Sequence, residues 1–219
     1  MLTPNGQKAL DGILATIDPG TPPRLLLHGC CAPCSSYVIE YLSEYFDITI
    51  HFYNPNIFSR EEYEKRAEEL ARLLREMPLA HPVSLTVPAW DHAVFLQMAR
   101  GLEQVPEGGE RCFRCYEMRL TAAAEEAARG GFNYFATTLT VSPLKNAEKI
   151  NELGESIARK WGVSYLPSDF KKRGGYLRTI ELSRTYGLYR QDFCGCEFSF
   201  EARHPSMTPL APPTDEKIP

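Results

Sequence analysis

The sequence predicts an α/β fold, a Rossmann-like parallel sheet with helices on both faces, and three observations carry that expectation. Short apolar runs such as Leu25-Leu26-Leu27 alternate along the chain with longer stretches whose apolar residues recur at helical spacing. Strands alternating with helices pair in parallel and need helical cover on both faces. A loop rich in glycine and cysteine, Gly29 to Cys34, follows directly on the first strand, where open sheets of this kind place their sites. With 219 residues, 43% of them hydrophobic, the chain can bury one substantial core, so a single domain is expected.

Each element follows in order. Leu10, Ile13, Leu14 and Ile17 mark a helix within an N-terminal extension, residues 1–23, that stops at Pro19-Gly20. Leu25 to His28 is the first strand, followed by a helix from about Ser35 to Tyr45. Ile48, Ile50 and Phe52 alternate as a second strand. Ser59, with Glu62 at capping-box spacing, opens a long helix whose Tyr63, Leu70, Leu73 and Leu74 face a core. Leu85 and Val87 suggest a third strand, and Trp90 to Met98 a helix. A helix from Cys112 to Arg129 ends at Gly130-Gly131. Asn133 to Leu139 reads as the fourth strand, Lys145 to Lys160 as a helix, Val163 to Tyr165 as a short fifth strand and Tyr176 to Tyr186 as a last helix. The site-bearing domain is placed at 24–200. Residues 201–219 form a tail with five prolines after Arg203 and no expected chemistry.

Composition excludes several classes of function. No basic head with a continuous apolar run opens the chain, and nothing approaches the roughly 20 apolar residues of a membrane span. A cytoplasmic location follows, without membrane contact. The net charge of −4 gives no long-range attraction for nucleic acid, so any such contact must come from a local patch. One exists: between Ser168 and Gln191 lies a local excess of four positive charges, including Lys171, Lys172, Arg173, Arg178 and Arg190, among Phe170, Tyr176, Tyr186 and Tyr189. Such a stretch can pair with phosphates and stack an unpaired base.

The seven cysteines are the strongest signal. An odd count in a reducing compartment argues against a disulfide framework and for metal or redox chemistry. Cys30, Cys31 and Cys34 stand where related folds put phosphate-cradling glycines, so no nucleotide site of that kind is expected. Cys112 and Cys115 lie one turn apart at a helix start, where the positive helix end, Arg111 and Arg114 favour thiolates. Cys194 and Cys196 flank Gly195, which lets the backbone turn tightly. Four thiolates for a cubane cluster with three more beside it fits this set better than a four-ligand zinc site. A zinc-stabilised nucleic-acid-binding module and a thiol-disulfide or sulfur-transfer enzyme are the competing readings.

The ordered motifs are specific. They are Leu27 to Cys34, Phe52-Tyr53-Asn54-Pro55-Asn56-Ile57, Cys112 to Leu120, Thr137-Thr138-Leu139 with Ser142-Pro143 and Lys145, Asp169-Phe170-Lys171, and Tyr189-Arg190-Gln191 before Cys194-Gly195-Cys196. From Leu25 to Cys196 the chain resembles epoxyqueuosine reductases of the QueH type. That resemblance implies an adenine-nucleotide-alpha-hydrolase-like fold, a 4Fe-4S cluster on Cys30, Cys31, Cys112 and Cys115, and room for an adjacent mononuclear iron. It leaves Cys194 and Cys196 as a redox dithiol or, with Cys34, as ligands of that second iron. It also implies reduction of epoxyqueuosine to queuosine at the wobble position of tRNA, without cobalamin and with electrons from an unidentified donor. His28, Tyr53, Lys145 and Asp169, within or beside these motifs, are the candidate proton donors. The basic stretch becomes the expected RNA contact.

Overall fold

Leu25, Leu26 and Leu27 are all fully buried, which requires a strand with cover on both faces. In the computed structural model, which describes residues 6–18 and 20–205, that strand is the centre of a five-stranded sheet. The strands are β1 (Arg24–His28), β2 (Asp47–His51), β3 (Ser84–Thr86), β4 (Tyr134–Thr137) and β5 (Ser164–Tyr165). They run in the order β3-β2-β1-β4-β5, every pair parallel. The order reverses between β1 and β4, and a crevice opens at such a switch point beyond the carboxyl ends of the strands.

The helices are α1 (Gly6–Leu14), α2 (Ala32–Leu42), α3 (Arg60–Glu76), α4 (His92–Ala99), α5 (Glu110–Arg129), α6 (Ala147–Trp161), α7 (Gly175–Thr185) and α8 (Glu197–Arg203). Alternation along β1 divides the core. Leu25 and Leu27 pack with Val38, Ile39, Leu70 and Leu73 of α2 and α3 on one face, whereas Leu26 packs with Leu120, Ala123 and Ile150 of α5 and α6 on the other. Leu10 and Leu14 of α1 belong to the first cluster, so the N-terminal helix shares the main core. The Pro-rich tail expected at 201–219 lies outside the described residues beyond Pro205, and so does Pro19 of the first helix stop.

Element boundaries follow the expectations with informative differences. α2 begins at Ala32 because Pro33 occupies its first turn, where a fixed φ and a missing N–H cost nothing. Cys34 therefore sits on the helix and not in the preceding loop. Ser59 caps α3 as expected, its Oγ accepting from the Glu62 N–H at 3.1 Å. The Glu62 carboxylate does not close the box; it binds Arg66 Nε at 2.6 Å and the Tyr189 hydroxyl. Val87 falls outside β3 and is exposed. The fourth strand stops at Thr137, and Thr138–Val141 turns as a 3-10 helix under the site. α8 was not expected. Among the described residues no helix is long and apolar enough to cross a membrane.

Candidate metal centre

The loop leaving β1 is tight. A Cβ on Gly29 would meet Ile50 Cγ2 at 2.7 Å, so only glycine lets the chain pass over β2 and bring its cysteines to the switch point. The sulfurs of Cys30, Cys31 and Cys34 all lie within 4.8 Å of one another, a spacing suited to one metal ion or cluster edge. Across the crevice, the Thr138 hydroxyl beyond β4 approaches the Cys30 sulfur at 3.5 Å and accepts from the Cys30 N–H at 3.3 Å. The thiols of Cys31 and Cys34 hydrogen-bond Cys30 and hold its pKa well below the usual thiol range, with Arg119 and Thr138 contributing. The bond with Cys30 pushes Cys31 up to about 12 and raises Cys34 as well, so the trio concentrates its first negative charge on Cys30.

Cys112, Cys115, Cys194 and Cys196 line a second, smaller cavity. Cys112 accepts from the Gly108 N–H at 3.3 Å in the turn that starts α5, and Cys115 and Cys196 pack with Phe95 and Ala99 of α4. The expectation that the helix end, Arg111 and Arg114 would favour thiolates here is corrected. Burial pushes Cys115 up to about 11 and raises Cys112, where it exceeds the opposing pull of the Gly108 N–H, Lys145 and Arg111. Arg111 donates to the Leu102 and Glu103 carbonyls and lies over the Phe198 ring, and Arg114 pairs with Glu110. Gly195 between the last two cysteines has φ 129°, which a side chain would resist, and the Arg66 guanidinium holds this loop by donating to the Cys194 carbonyl at 3.1 Å. Cys194 and Glu107 also line the larger cavity of about 290 Å³, whose other walls include Cys30, Cys31 and Cys34. All seven sulfurs thus surround two cavities that meet at Cys194.

The larger cavity is cationic. Arg66, Arg119, Lys145, Arg190 and Arg203 line it against Glu107 and Asp192. Lys145 Nζ donates to Cys194 Sγ at 3.2 Å, and although burial is the largest influence and opposes its charge, Cys194, Tyr116 and Cys30 together raise its pKa. Arg119 is 1% exposed and donates to His28 Nε2 at 3.2 Å and to Asn54 Oδ1, with the Cys115 sulfur also within its reach. Among the described residues no carboxylate pairs with Arg119 or Lys145. Buried cations require counter-charge, which the sulfurs beside Arg119 and Lys145 can supply as metal-bound thiolates. A cluster held by four thiolates is anionic, so the donor set and its surroundings fit an iron-sulfur group.

Other expected site residues take different places. His28 is fully buried and lines neither cavity. Its Nδ1 pairs with Thr137 Oγ1 at 2.8 Å, and its Nε2 faces both Arg119 Nε at 3.2 Å and the Tyr53 carbonyl at 3.1 Å. Burial, then the Arg119 charge, lowers its pKa to about 3, and the imidazole supports Arg119 from outside the two cavities. Asp169 lines neither cavity either, its carboxylate being bound by Lys171 at 2.6 Å. Tyr53 stacks on His51 away from both cavities. The basic stretch is mostly neutralised: Arg173 forks onto Asp11, Arg178 onto Glu40 and Glu181, and Lys171 onto Asp169. Lys172 makes no ion pair among the described residues, and Arg190 donates to Ser183 Oγ while facing the larger cavity.

Arg66 and Arg119 escaped the sequence reading although a signal was present. Arg66 falls on the same face of its helix as Tyr63, Leu70 and Leu73, and Arg119 falls two turns after Cys112 on the cysteine face. An arginine on a buried helical face asks for an anionic partner.

A doubly covered parallel sheet with seven free thiols and unpaired cations at its switch point defines a thiol-based redox or metal protein of the α/β class. Comparison with known proteins narrows the class. The family model described as "Epoxyqueuosine reductase QueH" matches residues 25–202. Proteins of that name are similar over most of their length: in Staphylococcus epidermidis, 44% identical over 82% of this chain and 77% of that protein; in Streptococcus pyogenes, 41% over 81% and 70%; in Thermotoga maritima, 35% over 82% and 91%. The chain belongs to the epoxyqueuosine reductase QueH family.

Proposed function

We propose that this chain reduces epoxyqueuosine to queuosine at the wobble position of tRNA anticodons, the last step of queuosine biosynthesis. The observation that carries the reading is the convergence of all seven cysteines on adjoining cavities with buried cations, in a chain matched by the family model over residues 25–202.

The overall change takes up two electrons and two protons, breaks both carbon–oxygen bonds of the epoxide, forms a carbon–carbon double bond and releases water. A 4Fe-4S cluster on Cys30, Cys31, Cys112 and Cys115 would supply electrons one at a time. Cys194 and Cys196 as a dithiol match the stoichiometry: two thiols forming one disulfide release two electrons and two protons, and a separate electron donor restores them. The Lys145 ammonium, beside Cys194, stabilises negative charge on the departing oxygen, and Arg119 adds to that field. Arg190, Arg203 and Tyr176 line the larger cavity and would meet the phosphates and unstacked base of an anticodon.

The sulfur grouping favours a second arrangement of metal. Cys112, Cys115, Cys194 and Cys196 form a complete four-thiolate set around one cavity, and the Cys30, Cys31 and Cys34 trio would then hold a mononuclear iron.

Anaerobic purification followed by iron, sulfide and zinc analysis, then incubation with epoxyqueuosine-containing tRNA and dithionite, tests the reading. A brown protein with iron and sulfide that forms queuosine supports it. A fully loaded protein that leaves the epoxide intact, or one holding zinc without sulfide, overturns it.

A further inference from the structure

Arg119 is a full positive charge buried without an acid. Its fork is held by two neutral groups whose own orientations are determined by further bonds. Asn54 Nδ2 donates to the Gly29 carbonyl at 2.9 Å, which turns Oδ1 toward Arg119. His28 Nδ1 pairs with Thr137 Oγ1, which also accepts from the Leu139 N–H at 3.2 Å, and its Nε2 lies 3.2 Å from Arg119 Nε and 3.1 Å from the Tyr53 carbonyl. The end of β1, the loop after β2 and the start of the 3-10 turn after β4 thus position one side chain of α5.

The groups around Arg119 that become negative when they bind metal are sulfurs: Cys30 and Cys194 line the same cavity, and Cys115 lies within reach of the guanidinium, one from each cysteine motif. We propose that Arg119 is the fixed counter-charge of the iron-sulfur centre, positioned by His28 and Asn54, and that it sets the reduction potential of that centre. The inference rests on the iron-sulfur reading above and holds for either arrangement of ligands, because Arg119 lies among sulfurs of both groups. Reduction adds one electron to the centre and neither makes nor breaks a bond. A nearby cation stabilises the more negative, reduced state more than the oxidised one, and in a water-poor site that difference is large.

The test is a potentiometric titration with dithionite under anaerobic conditions, followed by visible absorbance and electron paramagnetic resonance. Arg119→Gln is expected to shift the reduction equilibrium at least tenfold toward the oxidised centre, which for a one-electron couple is about 59 mV more negative. Arg119→Lys keeps the charge and is expected to retain most of the wild-type potential. Asn54→Asp keeps the size of the side chain and places a carboxylate on Arg119, so it should shift the potential in the same direction as Arg119→Gln. Where Arg119→Gln does not assemble a centre, Asn54→Asp decides. A loaded Arg119→Gln or Asn54→Asp protein titrating at the wild-type potential overturns the proposal, as does Arg119→Lys shifting as far as Arg119→Gln. An unchanged potential with a raised KM for tRNA would make Arg119 a substrate contact instead. Wild-type protein without iron and sulfide would sink the iron-sulfur reading itself, an outcome separate from these.

Discussion

Cys34 and Cys196 distinguish the two ways of holding iron. If the cluster is bound by Cys30, Cys31, Cys112 and Cys115, Cys34→Ser and Cys196→Ser retain four iron and four sulfide, and Cys196→Ser loses turnover through the dithiol. Cys112→Ser loses the cluster in either arrangement. Metal and sulfide analysis of the three variants reads the answer directly: loss of the cluster in Cys196→Ser moves the ligand set to the smaller cavity. The seven sulfurs and their grouping by motif were legible because cysteine is chemically unambiguous. Their supports were not, since Arg66, Arg119 and His28 act through partners distant in sequence, and a bare spacing rule does not reveal which neutral atom faces a guanidinium.

Among the elements, α4 and α8 are joined by His92, whose Nδ1 contacts the Pro55 carbonyl at 2.7 Å and whose Nε2 meets Glu197 at 3.2 Å. Burial disfavours the charged imidazole, but Glu197 and the Pro55 carbonyl outweigh it and raise the His92 pKa above 6.5. A raised native pKa stabilises the fold fully below the unfolded value and loses that contribution as pH rises through the native value. Unfolding free energy should therefore fall by under about 1 kcal/mol as pH rises from about 6 through neutrality, and His92→Gln should flatten that slope in denaturant titrations at several pH values. The β-α alternation was readable because buried parallel strands are short continuous apolar runs. α8 was not, because its seven residues follow the Cys-Gly-Cys turn and its buried side is made by Ser199 and the neighbouring aromatic rings and not by an aliphatic stripe.

For the whole molecule, charge is arranged in space and not along the chain. Half of the excess of four positive charges counted between Ser168 and Gln191 is cancelled by Asp11 of α1 and Glu40 of α2, which no local window includes. The cations that remain available at the cavity include Arg190 and Arg203. Replacing each with Gln should weaken tRNA binding and reduce the slope of log affinity against log salt by about 1 per residue, whereas Arg178→Gln should leave that slope unchanged. Filter binding across a salt series measures both. The switch point between β1 and β4 also constrains the order of biogenesis. Sulfurs from the turn after β1, from the start of α5 and from the loop before α8 meet only when both halves of the sheet have closed. On the proposed iron-sulfur reading, a nascent chain still lacking α5 and the loop before α8 would offer an incoming cluster an unfinished cage, and full enclosure of the centre would come late in folding.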